Sequence, residues 1–171
     1  MTVFPCRLGE PVNGQPEIDE APFFYLYDTL HLKLGVKLSF THFDQSISCT
    51  LNVAPTQLHL NSWAFLLCED MGRVPSLSVF FWFFLLRKTT KVGWTSLSSQ
   101  PKLKLLKPFL ESYKVFKNRY FKVDRDTTGP NLLADNLGEP FFPLYWTPQS
   151  IVSVSVARKD LEKWEDKFIK N

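Results

Sequence analysis

The sequence predicts an α+β domain: a cluster of three to four short amino-terminal helices, a small antiparallel sheet and a carboxy-terminal amphipathic helix. Three observations carry this expectation. Apolar residues recur at spacings of three and four through the first half, between Pro and Gly punctuation. Beyond Gly93 the period shortens toward alternation, and an apolar stripe at helical spacing returns after Ala157. With 171 residues the chain fits one domain, and sixteen Phe and five Trp supply an aromatic core.

Residues 1–20 carry Gly, Pro and acids with few apolar side chains, the composition of a disordered tail. Residues 21–147 then form the domain and 148–171 a mostly helical segment. In PFFYLYDTLHLKL, Phe24, Tyr27, Leu30 and Leu34 share one helical face, and Gly35 supplies the stop. A second helix starts near Phe40 or Thr41 and lines up Phe43, Ile47 and Leu51 before Pro55. Pro55 also suits the first turn of a third helix, TQLHLNSWAFLLCEDMG, with Leu58, Trp63, Leu66 and Leu67 as apolar surface.

Ser76 is placed to cap a fourth helix through LSVFFWFFLLRK, with Arg87 and Lys88 against the dipole at its far end. The apolar run of this helix, SVFFWFFLL, is about half of the roughly 20 residues that a membrane span needs, so no span is expected. GWTSLSSQPKLKLL reads as short extended pieces around a Gln-Pro turn, and YKVFKNRYFKVD as one or two strands. DRDTTGPNLLADNLGEP is loop, and SIVSVSV is either a strand or a backward extension of the last helix. That helix, ARKDLEKWEDKFIKN, puts Ala157, Leu161, Trp164 and Phe168 on one stripe.

Chemistry-bearing constellations are scarce. Asp126-Thr127-Thr128-Gly129 misses the spacing of an aspartic-protease turn and is followed by Pro130. His31, His42 and His59 show no i, i+4 pair aimed at one metal, and Cys6, Cys49 and Cys68 form neither a disulfide framework nor a C-x-x-C site. An enzyme would need carboxylates brought together by the fold from among Asp124, Asp126, Asp135 and Glu139. No catalytic residue, metal, cofactor or small-molecule substrate is implied. Without a basic, apolar leader the chain is expected in a reducing, intracellular compartment, cytoplasm or nucleus.

Charge placement gives one claim on a partner. Between Arg87 and Lys122 stand ten basic residues (Arg87, Lys88, Lys91, Lys102, Lys104, Lys107, Lys114, Lys117, Arg119 and Lys122) against one acid, Glu111, while the whole chain is only +3. Interleaved with Trp94, Tyr113, Phe116 and Tyr120, these cations suit phosphates, and the rings suit stacking on unpaired bases. A half-buried strand needs the same alternation of lysines and aromatics, so the rings serve equally as core.

Four blocks in order, LGVKLSFTHFDQSISCTLNVAPTQLHLNSWAF, VPSLSVFFWFF, GWTSLSS and SYKVFKNRYFKV, with FPLYWT after them, resemble the gypsy-type transposase domain of plants. The resemblance runs from about Pro22 to Trp146. It implies an element-encoded, Gag-related structural protein with possible self-association and no catalytic triad to carry over. Asn61, Trp63, Pro75, Phe80, Phe83 and Gly93 are, by the same resemblance, determinants of the fold. Between NSWAF and VPS this chain has only LLCEDMGR, shorter than the pattern.

Overall fold

A computed structural model describes residues 2–6, 9–66, 75–88, 93–101, 103, 119–125, 129–148 and 153–170. The fold is α+β, built from two antiparallel sheets and short helices around one aromatic core. In chain order the elements are β1 (Thr2–Pro5), β2 (Phe23–Tyr27), α1 (Asp28–Leu32), α2 (His42–Leu51), α3 (Leu60–Leu66), α4 (Leu77–Phe83), β3 (Phe84–Lys88), β4 (Thr95–Ser99), β5 (Tyr120–Asp124) and α5 (Lys163–Phe168). Among the described residues no helix is long and apolar enough to cross a membrane.

The larger sheet has the order β1-β5-β2 with both pairings antiparallel. It corrects two expectations. Thr2–Pro5, taken by composition for part of a disordered tail, is an outer strand of this sheet. Phe23–Tyr27, taken for the first turn and a half of a helix, is a strand buried at every position, and only Asp28–Leu32 is helical. A strand covered on both faces loses the alternation that would reveal it, and its aromatic residues favour extended backbone.

α2 follows its sequence signals closely. Thr41 Oγ1 accepts from Asp44 N (3.2 Å), the Asp44 carboxylate accepts in return from Thr41 N (3.1 Å), and Asn52 ends the helix in the left-handed region. Phe43, Ile47 and Leu51 are buried as their spacing requires. The third helix is shorter than expected: Pro55 lies in a turn, Leu58 bridges to Thr95, and α3 begins only at Leu60. Leu67 and Gly72 lie outside the described residues.

The aromatic run divides. Ser76 caps α4 by accepting from Val79 N (3.1 Å), and Val79, Phe80, Phe81 and Phe83 are buried. At Phe84 the backbone turns extended and the chain continues as β3, paired with β4 in the register Leu86↔Leu97. Arg87 and Lys88 therefore belong to a strand and do not complement a helix dipole. The sheet expected between Gly93 and Val123 is shared between two sheets, β4 in one and β5 in the other.

The core joins both sheets to the helices. Phe40 stacks on Trp63 with centroids 5.1 Å apart, Phe142 meets Phe24 edge-on, and Phe80 sits between Phe43 and Phe84. The last segment is not one amphipathic helix: Arg158–Asp160 is a 3-10 turn, α5 has six residues, and residues 153–157 pair with no strand among the described residues.

Candidate functional site

The outer face of the β1-β5-β2 sheet is where charged and aromatic side chains gather. Alternation along the paired strands puts Phe4, Lys122, Asp124, Tyr25 and Phe23 on this face, while Phe24, Leu26 and Val123 point to the core. Residues 9–22 fold over it and leave a cleft of about 860 Å³ whose lining includes Phe4, Cys6, Glu10, Glu17, Glu20 and Asp124.

Tyr25, Glu10, Lys122, Glu20 and Asp124 are partnered here. Tyr25 donates to Glu10 Oε1 at 2.7 Å. Lys122 binds Glu20 and sits 3.8 Å from the centroid of the Phe23 ring, a cation over an aromatic face. The hydrogen bond from Lys122, with a smaller backbone contribution from Glu17, holds the Glu20 carboxyl below its ordinary range. Burial first and the Glu10 carboxylate second push the Cys6 thiol from 9.0 up to about 12. Burial raises Tyr25 and Tyr120 as well. A thiol so raised is no nucleophile near neutrality.

A second depression, of about 470 Å³, lies at the 131–140 loop beside Arg125. Asp135 lines it, but its Oδ1 accepts from Leu137 N (2.8 Å) and Glu139 N (3.0 Å) and so shapes the loop. Asp124 lines the first cleft and Asp135 the second. Asp126 lies outside the described residues. The histidines are spread out: His31 Nδ1 lies 3.2 Å from Val36 O, His42 Nδ1 3.4 Å from Ser46 Oγ, and His59 Nδ1 accepts from Asn61 N. Among the described residues no group of three His, Cys, Asp or Glu is placed to hold a metal ion.

Of the ten cations, Lys91, Lys102, Lys104, Lys107, Lys114 and Lys117 lie outside the described residues, with Tyr113 and Phe116. Arg87 is exposed in β3, and Lys88 ends that strand. Arg119 pairs with Asp28 at 2.9 Å, and Lys122 is held by Glu20 and Phe23. Arg119 and Lys122 thus face acids of their own domain.

The described rings are in packing contacts. Tyr120 meets Tyr25 edge-on at 5.4 Å, and Trp94 lies between His59 (6.2 Å) and Trp146 (6.3 Å). Gly93 has φ +94, and a Cβ there would meet the Trp146 ring at 2.5 Å. Trp63, Pro75, Phe80 and Phe83 are buried, and Trp63 Nε1 donates to Pro55 O at 3.0 Å. Asn61 is half-buried in the first turn of α3.

One structural centre has no sequence motif. Gln57 is buried, and its amide closes on Thr147 from both ends: Nε2 donates to Thr147 O (2.9 Å) and Oε1 accepts from Thr147 N (3.0 Å). Trp146 Nε1 donates to the neighbouring Thr56 Oγ1 (3.0 Å). Together they clamp FPLYWT onto the turn before α3, ninety residues away in sequence. No family model matches the chain, and neither a curated protein nor a solved structure does.

Proposed function

We propose that the chain is a non-enzymatic, Gag-like structural module of the gypsy-type element class, acting by self-association through the open edge of its larger sheet. The observation that carries this is β1. It is an edge strand, with Val3 38% and Phe4 48% exposed, and among the described residues no strand pairs with its outer side. An edge of this kind recruits a further strand. Cys6 N bonds to Tyr120 O, so alternation turns the backbone groups of Val3 outward and places the donorless Pro5 on the same side. That limits the edge to a short pairing and favours weak, concentration-dependent assembly.

Size-exclusion chromatography with light scattering over a range of concentrations, with and without nucleic acid, tests the proposal. Mass should rise with concentration, and Val3→Lys with Phe4→Lys should abolish the rise. A monodisperse monomer indifferent to nucleic acid overturns it.

A nucleic-acid-binding role in a transposition machinery is the second reading, favoured by the exposed Arg87 within the cation-rich stretch. Fluorescence anisotropy with random-sequence DNA at two salt concentrations should then show affinity falling steeply with salt. Absence of binding at low salt removes this reading. The engagement of Arg119 with Asp28 and of Lys122 with Glu20 ranks it second.

A further inference from the structure

The carboxy-terminal segment is fastened to the amino end of α4 by a polar contact. A continuous helix from Ala157 would bury Leu161, Trp164 and Phe168 together. The fold interrupts it: Leu161 and Glu162 are extended between the 3-10 turn and α5. The rotation leaves Trp164 51% exposed and Glu165 only 4% exposed. A carboxylate, not the indole, occupies the buried position.

Glu165 Oε1 accepts from Ser76 Oγ, and Oε2 accepts from Glu162 N at 2.8 Å. Ser76 Oγ itself accepts from Val79 N, so one hydroxyl both caps α4 and holds α5. An apolar residue at this position would give a docking independent of any hydrogen bond, since a buried carboxylate carries a large desolvation penalty that its partners must offset. The rest of the segment is suited to leaving. α5 is far too short to persist alone, and its ion pairs Arg158–Asp166 and Asp166–Lys170 close within the segment. Val154, Val156, Phe168 and Ile169 pack on the core only in part.

We propose that residues 153–170 form a strap that detaches as a unit while the remaining core stays folded, with Ser76 and Glu165 as its latch. Opening bares the amino end of α4. The strap does not depend on self-association through β1, and its test reads neither mass nor nucleic-acid binding.

Hydrogen exchange followed by mass spectrometry on the full chain decides it. Amides of 163–169 should exchange at least about 100-fold faster than those of α2, because a strap opens sub-globally. Glu165→Lys should speed exchange in 163–169 and leave α2 unchanged, while Glu165→Leu should slow it toward the α2 rate. Equal rates for 163–169 and α2 in the unmodified protein overturn the proposal. So does an equal acceleration of both segments by Glu165→Lys. The comparison within the unmodified protein decides the matter even where a variant does not fold.

Discussion

Gly93→Ala isolates the clamp between the two halves of the chain. At φ +94 the backbone lies beyond the left-handed well that other residues tolerate, and holding Ala there costs about 1–3 kcal/mol. The new Cβ would lie 2.5 Å from Cζ3 and 2.9 Å from Cε3 of Trp146. Carbon atoms rest at about 3.5–4.0 Å, so the ring must retreat by about 1 Å. It cannot do so freely, because its Nε1 is bonded to Thr56 Oγ1 at 3.0 Å and its face is flanked by Trp94. Overpacking of this kind costs about 1–3 kcal/mol, and loss of the indole bond about 1 kcal/mol more. Stiffening of the unfolded chain by Ala returns about 0.4–1 kcal/mol. The net loss is about 2–7 kcal/mol, centred near 4, a large part of the roughly 5–15 kcal/mol that holds a domain together.

Urea unfolding followed by tryptophan fluorescence measures it, with an unchanged m value as the condition for comparison. Gly138→Ala is the control: its φ is +87, and a Cβ there meets nothing within 4 Å, so only the backbone contribution remains. The difference between the two variants is the ring contact. In a double-mutant cycle, Trp146→Ala should remove about 1–3 kcal/mol of the Gly93→Ala effect. If Gly93→Ala proves no more destabilising than Gly138→Ala, Trp146 is not packed where the geometry puts it, and the clamp reasoning fails.

Trp63→Phe deletes the bond to Pro55 O and opens space beneath Phe40, so the protein should lose about 2–4 kcal/mol, read as a lowered Tm by circular dichroism. Thr41→Ala removes the α2 cap and should cost about 1 kcal/mol in urea unfolding, while Thr41→Ser should retain most of it. Stability should fall as pH rises above about 9, because Cys6, Tyr25, Tyr27, Tyr120 and Tyr145 are all raised by burial. The folded chain then holds protons that the unfolded chain releases, and the loss continues until the folded groups themselves titrate. Urea midpoints between pH 8 and pH 11 should trace the decline, and Cys6→Ala should make it shallower.

Legibility in the sequence followed the range of the interactions. α2 was readable because its signals are local: a Thr cap, an Asp three residues on, and a stripe of Phe43, Ile47 and Leu51. β1 was not, because nothing in Thr2–Pro5 announces a partner more than a hundred residues away in β5. Gln57 and Thr147 show the same limit at the level of a side chain, since a buried amide acquires its role only from the backbone that arrives opposite it. For the candidate site, the cation-rich stretch was plain in the composition. What the composition withheld was pairing, since the acids that take up Arg119 and Lys122 come from Asp28 and from Glu20 in the supposed tail.

The run SVFFWFFLL carries this furthest. Apolar on every side, it gives a periodicity argument nothing to hold, and a buried helix and a buried strand are equally consistent with it. Its two halves take different states because different neighbours complete them. The first half has a local instruction, the Ser76 hydroxyl on Val79 N, and closes a helix whose sides are covered by Phe43 and the rest of the core. The second half has no cap to continue it and meets Thr95–Ser99, whose backbone supplies an antiparallel ladder from Phe84 to Lys88. That ladder is anchored in turn by His59 N on Thr95 O and by Leu97 N on Ser62 Oγ, so the third helix determines where the fourth one stops. Aromatic content specifies that these residues are inside; the cap at one end and the strand partner at the other specify how.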